Sequence, residues 1–421
     1  MSFQQGLSGL NASSKNLEVI GNNVANANTF GFKNSRAEFA DVYANAMNGA
    51  GSNNIGIGVT LAKVGQQFTQ GNITTTENSM DLAINGSGFF QVSDGKNPTM
   101  YTRNGQFKID RDGFIVNNQA QKLLGYRADG QGVIQPGQAA PIQLPTAGIN
   151  PQATANIGIE MNLDARAAVT LPAAGDRIDF DDPTTYNNAT SVTVYDAKGQ
   201  DVALTYYFQK AGTDQWNVYV AVNGDPIATD ASGVPTPLTT LQFPSNGSNP
   251  TSPATAINLD IPASVRPGGG DTLPITGIQL DLTNATQYGA GFGVTDLSQD
   301  GYAPGQLSGI TIEANGIVMA RYSNGQSKPA GQVEVANFRN PQGLQPMGGN
   351  AWSATFTSGD PVVGAPGDGN FGVLQSGALE ESNVDLTGEL VNMITAQRVY
   401  QANAQTIKTV DSIMQTLVNL R

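Results

Sequence analysis

Amphipathic helix patterns occur only at the two ends of this 421-residue chain, and the sequence between them is typical of β-strands, turns and loops. Residues 1–28 and 385–421 repeat apolar side chains at helical spacing. A lone pair of such helices is marginally stable in water, because most helical stability comes from tertiary packing. We therefore expect the two ends to pack against each other and against copies of the chain.

The N-terminal helix presents one narrow apolar stripe. Ser14 and Gly21 occupy the remaining positions of the stripe, and its width is typical of a coiled-coil contact. The helix is expected to end near Asn26–Thr29, ahead of Gly31. The stripe, which we predict to carry self-assembly, consists of Phe3, Leu7, Leu10, Leu17 and Val24.

The C-terminal helix carries a longer apolar pattern, and Asp385 or Thr387 is a suitable N-cap. A second stripe takes over near its end and includes Leu417 beside Val410, Ile413 and Leu420. We predict that Leu417 and the first stripe also carry self-assembly. The first stripe consists of Leu386, Leu390, Met393, Tyr400, Ile407 and Met414.

Turn signals organise the sequence between the helices. Asn-Gly and Asp-Gly pairs between apolar runs predict hairpins, because type I′ turns need positive φ at both central residues. These pairs occur at Asn85-Gly86, Asp94-Gly95, Asn104-Gly105, Asp112-Gly113, Asn315-Gly316 and Asn324-Gly325. Their recurrence assigns 76–145 and 300–365 to one middle β domain, and 146–299 to an inserted outer β domain of sandwich or barrel type.

The predicted fold class is therefore mainly β with a terminal α-helical coiled coil. An inner helical domain would comprise 1–75 and 366–421, with a short helix at Arg36–Ala46 and an extended segment at Val59–Gln70. A Gly- and Pro-rich linker is predicted at Gly359–Gly372. The candidate hinges between domains are Gly56, Gly58, Gly359 and Gly364.

Composition and charge exclude several classes of function. The net charge is −13, and residues 151–300 carry 16 Asp and Glu against 5 Lys and Arg, a net charge of −11. A nucleic-acid partner is not expected, because phosphate binding needs a basic patch. The chain has no histidine and no cysteine, so we expect no enzyme, no metal site and no cofactor. No apolar run approaches the ~18–20 residues of a membrane helix, and Met1–Gly6 is unlike a classical signal peptide.

Several sequence blocks resemble the bacterial flagellar rod and hook family of axial proteins. The block Asn22–Lys33 is similar to the family signature through Asn26, Asn28, Thr29, Gly31, Phe32 and Lys33. Met80–Phe90 and Tyr101–Gly105 resemble the next shared blocks. The blocks that resemble the hook members in particular are Ala320–Gln326, Asn340–Leu344, Gly377–Glu380, Ser382–Leu386, Glu389–Ile394 and Asn403–Ile407.

The resemblance covers about 1–145 and 300–421, and it implies a structural subunit of the flagellar hook. Such subunits form a curved, flexible tube that acts as a universal joint and transmits motor torque to the filament. The terminal helices would form the inner tube. The implied partners are other copies, rod and hook–filament junction proteins, the hook cap and the flagellar type III export apparatus. The implied location is the extracellular flagellum, reached without a cleaved signal peptide.

Two other functions remain open at this point. A distal-rod-type axial protein would share the same signature, although the length of the insert favours the hook. A secreted carbohydrate-binding or adhesive β protein would instead use an aromatic site in the insert, for which Tyr206, Tyr207, Phe208 and Trp216 are candidates. Packing in a strand core is the favoured interpretation of these four residues.

Overall fold

The computed structural model describes residues 2–42, 56–145, 147–170, 178–264 and 271–419. Long helices lie at the two ends, as predicted: α1 spans Ser2–Ala25 and α2 spans Leu386–Asn419. A short 3-10 helix spans Pro341–Gly343. Strands form most of the regular structure between α1 and α2, which confirms the mainly β fold class with helical ends.

The strands are distributed along the whole interval between the helices. The first ten are β1 (Ser35–Val42), β2 (Gly58–Gln66), β3 (Ile73–Thr75), β4 (Leu82–Asn85), β5 (Phe89–Ser93), β6 (Met100–Thr102), β7 (Phe107–Ile109), β8 (Ile115–Asn117), β9 (Lys122–Arg127) and β10 (Ala140–Pro141). The next nine are β11 (Asn156–Asn162), β12 (Asn188–Tyr195), β13 (Asp201–Gly212), β14 (Gln215–Val222), β15 (Asp225–Pro226), β16 (Thr239–Gln242), β17 (Ile257–Ile261), β18 (Ile275–Asp281) and β19 (Gly293–Gln299). The last nine are β20 (Leu307–Ile312), β21 (Ile317–Tyr322), β22 (Ser327–Val333), β23 (Val335–Asn337), β24 (Gln345–Gly348), β25 (Ala351–Ser353), β26 (Val362–Gly364), β27 (Val373–Ser376) and β28 (Ala378–Glu380).

The chain divides into two compact units. Unit 1 comprises Met1–Thr146, Gly309–Arg321 and Ser327–Arg421, and unit 2 comprises Ala147–Ser308 and Tyr322–Gln326. Unit 2 overlaps the predicted insert at 146–299. The further division of the remaining chain into an inner and a middle domain stays a prediction.

Unit 1 is built on a large sheet whose main path runs β20-β21-β22-β9-β5-β6-β25-β24. A mainly aliphatic core belongs to this unit and includes the fully buried Leu82, Phe90 and Leu123. A second, aromatic core joins Phe89, Tyr101, Phe338 and Trp352 with Phe68 through edge-to-face ring pairs. Such ring pairs contribute stability in addition to that of their buried area, so the second core holds together the strands that supply its side chains.

Four of the six turn signals connect paired strands, as predicted. Asp94-Gly95 lies between β5 and β6, and Asp112-Gly113 lies between β7 and β8. Asn315-Gly316 lies between β20 and β21, and Asn324-Gly325 lies between β21 and β22. At each of these signals the glycine has positive φ, but the Asp or Asn before it does not, so the turns are not of the predicted type I′. A single glycine in the left-handed region is typical of a slightly longer hairpin loop, built on a type I turn followed by a bulge.

The hairpin predictions at Asn85-Gly86 and Asn104-Gly105 are wrong. Strand β4, which ends at Asn85, pairs with the distant β27, and β6 and β7 on either side of Asn104-Gly105 pair with other strands. Gly105 instead allows the backbone of Leu82 to approach closely, because a Cβ at this position would overlap the Leu82 carbonyl oxygen. The same dipeptide can therefore mark a backbone contact instead of a hairpin.

The predicted short helix at Arg36–Ala46 is also wrong, because Ser35–Val42 forms β1 and pairs antiparallel with β2. Residues 43–46 lie outside the described residues. The buried Asn23 side chain accepts a hydrogen bond from Ser35 N at 2.9 Å and donates one to Ser35 O at 2.8 Å. These bonds and the ladder with β2 use the backbone N–H and C=O groups that would otherwise pair within a helix. Tertiary pairing therefore overrides the local helix propensity of this segment.

The predicted linker at Gly359–Gly372 contains a strand. Val362–Gly364 forms β26, which pairs antiparallel with β23. The candidate hinge Gly364 lies in this strand, and a Cβ there would meet the Phe371 ring at 2.6 Å. Gly359 has positive φ and open space around it, so its role as a hinge stays a prediction.

Unit 2 consists of two sheets, with strand orders β17-β18-β11-β19 and β12-β13-β14-β15, and β16 also pairs with β14. Side chains from both sheets share one core, as in a β-sandwich. Tyr206, Phe208 and Trp216 lie in this core with no exposed surface, so they are not available to stack on a sugar. Tyr207 points away from the core and stacks on Phe180, with ring centroids 4.4 Å apart.

A buried carboxyl makes unit 1 sensitive to pH. Glu334 is 1% exposed, and the Tyr126 hydroxyl donates a hydrogen bond to its Oε1 at 2.9 Å. Burial raises the pKa of the Glu334 carboxyl, and this hydrogen bond offsets the shift only in part. Because the fold favours the protonated carboxyl, Glu334 stabilises unit 1 at low pH, and that stability is lost as pH rises through the folded-state pKa.

We expect Glu334→Gln to remove this pH dependence and to raise the free energy of unfolding by about 1 kcal/mol at about pH 8. The measurement is urea unfolding at about pH 5 and about pH 8, followed by Trp352 fluorescence in a Trp216→Phe background. Glu313→Gln is the matched control, since Glu313 is exposed. An unchanged pH slope in Glu334→Gln would show that another group carries the effect.

Candidate assembly surface of the terminal helices

The two terminal helices of unit 1 pack as an antiparallel pair. Asn403 Nδ2 lies 3.5 Å from Ser13 Oγ, and Asn23 Nδ2 lies 3.3 Å from Glu389 Oε1 at the other end of the contact. A Cβ on Gly6 would lie 3.2 Å from Ile407 Cγ1, so the Ile407 side chain packs directly against the α1 backbone there. The face of α1 that contacts α2 therefore consists largely of small and polar residues, which sequence analysis did not select.

The β1–β2 hairpin packs against another face of α1. Gln5 Nε2 donates to Gly56 O at 2.6 Å, and Val59 N donates to Ser8 Oγ at 3.3 Å. A Cβ on Gly58 would overlap the Ser8 hydroxyl, so glycine is needed for this contact. Gly56 and Gly58 lie where the hairpin docks on α1, and their role as hinges stays a prediction.

The α1 apolar stripe (Phe3, Leu7, Leu10, Leu17 and Val24) is centred away from both partner faces. At 100° per residue, it lies roughly a quarter of a turn from the α2 face and opposite the hairpin. Phe3 is 48% exposed and Leu7 is 44% exposed, while the other three are half-buried. A Cβ on Gly21, which belongs to the same stripe, would meet no atom within 4 Å. The stripe is therefore open at its N-terminal end, at Phe3 and Leu7, and partly covered within the subunit at Leu10, Leu17 and Val24.

The predicted stripe of α2 divides into two groups. Met393 and Ile407 are half-buried, and Ile407 lies against α1. The exposed members are Leu386, Leu390, Tyr400 and Met414. Ile413 of the second stripe is exposed as well, and sequence analysis did not select the further exposed apolar residues Val391, Ile394, Val399 and Val418. The apolar residues that occur all around the helix could have predicted these exposed positions. The side chain of Leu417 lies outside the described residues.

A buried charge cluster lies at the base of the helices. Lys33 Nζ is 2.5 Å from Glu380 Oε1, and Arg103 Nη1 is 2.9 Å from Glu380 Oε2. The side-chain exposures are 1% for Lys33, 0% for Glu380 and 6% for Arg103. Burial lowers the pKa of the Lys33 ammonium, and the Glu380 carboxylate opposes that shift. The cluster joins three distant parts of unit 1 through one carboxylate.

Backbone groups complete this cluster. Lys33 Nζ donates to Thr69 O at 2.8 Å, and Gly71 N donates to Glu380 Oε1 at 2.9 Å. Arg103 Nη2 donates to Gly86 O at 2.7 Å. The charges are thus paired, and of their buried nitrogen and oxygen atoms Arg103 Nε alone has no hydrogen-bond partner among the described residues.

The remaining residues of the predicted signature motif lie in the segment that joins α1 to this cluster. Gly31 has φ +70°, and Gly31 N donates to Glu380 O at 2.8 Å. A Cβ on Gly31 would overlap the Asn104 backbone, so only glycine fits. Asn26 and Thr29 form the turn after α1, Phe32 N bonds back to Thr29 O, and Asn28 is exposed.

Two kinds of site are not found in the part of the chain that the structure describes. It holds no group of three or more His, Cys, Asp or Glu residues arranged to bind a metal ion. Its helices also lack a segment that is both long enough and apolar enough to cross a membrane.

Four protein-family models match the chain, in consecutive and partly overlapping segments. The flagella basal body rod protein model matches residues 3–33, and the flagellar hook protein FlgE/F/G D1 domain model matches 83–196. The flagellar basal body protein FlaE D2 domain model matches 162–302, and the flagellar basal body rod FlgEFG protein C-terminal model matches 375–420.

Similar proteins align over the full chain. The flagellar hook protein FlgE of Salmonella typhimurium is 41% identical over 424 residues and that of Escherichia coli 40% over 426, with 100% of each chain covered. The protein of the same name from Rhizobium meliloti is 33% identical over 431 residues, covering 98% of its length. A crystal structure of Helicobacter pylori flagellar hook protein FlgE2 matches 73% of this chain and 100% of its own, with TM-score 0.53 and 16% identity, which concerns the fold alone.

Proposed function

Because the chain belongs to the flagellar hook protein family and is a structural subunit of the hook, we propose that its α1 apolar stripe is the principal contact between copies. The occupant of this stripe would be the exposed apolar surface of α2 from a neighbouring copy. The observation that carries the proposal is the exposure of Phe3 and Leu7 at the N-terminal end of the stripe, and the open space beside Gly21 on the same face. Covering one Leu or Phe side chain contributes about 1.5–3 kcal/mol, so several such contacts can hold a polymer together.

The polymer is proposed to be a curved, flexible tube that transmits torque between motor and filament. Only 13% of the residues are charged, so polar surfaces of neighbouring copies can exchange hydrogen bonds through water as the tube bends. Torsional stiffness would come from the helices, whose apolar contacts are harder to slide. The distal-rod alternative, which implies a straight tube, is not favoured by the relatives that align over the whole chain.

The location in the extracellular hook follows from the family, and several finer statements are proposals. The ends of the tube would meet rod and hook–filament junction proteins, and growth would occur under a hook cap. Export would use the flagellar type III apparatus without cleavage of a signal peptide. We also propose that the protein has no enzymatic activity, since its surface features point to assembly.

Electron microscopy of the purified chain at increasing salt tests this function. We expect curved tubes, and more of them at high salt, because residues 151–300 carry a net charge of −11 and repel their copies. The Debye length falls from about 10 Å at 0.1 M to about 3 Å at 1 M, which screens that repulsion. Straight, rigid tubes would favour a rod protein, and a chain that stays monomeric in all conditions would contradict self-assembly.

A further inference from the structure

Gly21 is a glycine in the interior of α1 that no contact within the subunit explains. Glycine is the weakest helix former after proline, because it loses the most backbone freedom on folding. A glycine inside a helix is therefore expected where another group approaches closely or where φ is positive. The φ of Gly21 is not positive, and a Cβ there would meet no atom within 4 Å.

The other three glycines of α1 and α2 each have a close neighbour in the same subunit. A Cβ on Gly6 would lie 3.2 Å from Ile407 Cγ1. A Cβ on Gly9 would lie 3.0 Å from Asn403 Nδ2, and one on Gly388 would lie 2.8 Å from a carboxylate oxygen three residues earlier. The fourth helix glycine therefore lowers the stability of α1 without a compensating contact inside the subunit.

The missing side chain at Gly21 leaves a notch in the α1 apolar stripe. The half-buried Leu17 and Val24 lie on either side of it along the stripe. At 100° per residue, Gly21 is at the centre of the stripe, about a quarter of a turn from the α2 face and opposite the hairpin. The notch thus opens outward, in the direction in which Phe3 and Leu7 are exposed.

The α2 helix carries an exposed apolar row that suits such a notch. Leu386, Leu390 and Ile394 are 44%, 45% and 52% exposed, and their spacing of four residues places them in one ridge. The ridge lies about a third of a turn from the buried Ala396, so it is directed away from the α1 of its own copy. Ridges of this kind pack into the grooves of a facing helix.

We propose that a side chain of this α2 row (Leu386, Leu390 and Ile394) of a second copy inserts into the notch at Gly21. The proposal rests on the contact between α1 and α2 of neighbouring copies proposed above, and it names the centre of that contact. A second copy is the occupant because the hook subunit assembles with itself and the notch continues the stripe assigned to that assembly. A side chain held in such a hole fixes the register of two helices.

The first test compares the effects of Gly21→Ala on the monomer and on the polymer. In the monomer we expect hydrogen exchange in α1 to slow about threefold to fivefold, because alanine is the better helix former. The critical concentration for polymerisation should nevertheless rise at least about fivefold, because the added methyl group overfills the contact. An unchanged or lower critical concentration would overturn the proposal, as would a monomer whose α1 gains no protection.

Gly21→Leu sharpens the same test, because the two explanations of the notch predict opposite signs. If the notch is only a gap, leucine completes the apolar stripe and lowers the critical concentration. If a side chain of a second copy fills the notch, leucine blocks it, and we expect the critical concentration to rise at least about 50-fold. A stripe that assembles better with leucine at position 21 contradicts the proposal.

Two control variants calibrate these measurements. Ser14→Ala lies in the same stripe at a position that already has a Cβ, and it should change the critical concentration by less than about twofold. Gly9→Ala should instead speed exchange in α1, because its Cβ would crowd Asn403 within the subunit. Opposite signs for Gly9→Ala and Gly21→Ala in the monomer would show that exchange distinguishes an occupied position from an open one.

A double-mutant cycle identifies the occupant. Leu386→Ala, Leu390→Ala and Ile394→Ala are each combined with Gly21→Ala, and critical concentrations are measured for the single and double variants. For the side chain that enters the notch, truncation should raise the critical concentration less in Gly21→Ala than in the wild type, because the contact is already displaced. Additive effects at all three positions would overturn the assignment of the α2 row.

Failure of this inference can be told apart from failure of the proposed function. If Leu7→Asp/Leu10→Asp blocks assembly while Gly21→Leu promotes it, the stripe carries self-assembly and the notch has no occupant. If the double aspartate variant assembles like the wild type, the proposed contact fails and the notch contact fails with it.

Discussion

Replacement of Glu380 by Ala is expected to lower the free energy of unfolding of unit 1 by about 3–5 kcal/mol. The substitution removes the only carboxylate that Lys33 and Arg103 share among the described residues, and both cations would stay buried without a partner. An unpaired buried charge costs far more than an intact pair contributes, so the loss should greatly exceed that of an ordinary surface substitution. The backbone N–H of Gly71 would also lose its acceptor.

Segment-resolved hydrogen exchange is the appropriate measurement, because it separates unit 1 from unit 2. Exchange should accelerate around Lys33, Arg103 and Gly71, while unit 2 keeps its protection. Glu381→Ala is the matched control, since the side chain of Glu381 makes only a 3.5 Å contact with Asn72. Glu380→Gln should fall between the two, because it keeps the shape and loses the charge. Equal protection in Glu380→Ala and Glu381→Ala would show that the cluster does not hold unit 1 together.

The sequence could not reveal this cluster, although all three of its residues lie in blocks that resemble the family. Lys33 and Glu380 are 347 residues apart, and Arg103 and Glu380 are 277 apart. Spacing predicts contacts only within a helix or across a short turn, where geometry fixes the partners. A pairing between distant segments depends on sheet topology, which local patterns do not determine.

Local geometry explains what could be predicted and what could not. The helical period of Phe3, Leu7 and Leu10 correctly identified α1 and its apolar face. It could not identify the face of α1 that contacts α2, because that contact involves Gly6 and Ser13, which carry no hydrophobic signal. Periodicity thus determines the orientation of a face, while its partner depends on tertiary structure.

The same limit applies to the segment after α1. Arg36–Ala46 contains good helix formers, and propensity alone favours a helix there. The ladder between β1 and β2, together with the two hydrogen bonds from Asn23, makes the extended form more stable. The Asp112-Gly113 hairpin succeeded because its strands are adjacent in sequence, so turn chemistry was sufficient to predict the pairing.

The exposed end of the α1 stripe leads to the second large effect. The double substitution Leu7→Asp/Leu10→Asp should raise the critical concentration for polymerisation by more than about 100-fold. Two apolar contacts of about 1.5–3 kcal/mol each would be lost, and two carboxylates would have to be desolvated at the contact. Sedimentation of polymer, with electron microscopy of the pellet, measures this effect directly.

Two comparisons separate loss of the contact from loss of the subunit fold. Asn11→Asp places a charge on an exposed position of α1 outside the stripe, and it should leave assembly nearly unchanged. Monomeric Leu7→Asp/Leu10→Asp should keep the protection of the α1–α2 contact, because that contact is made through Gly6, Ser13 and Asn23. Tubes that form from the double variant at the wild-type concentration would mean that the stripe faces the solvent in the polymer, and the contacts between copies would then have to come from α2 and the β units alone.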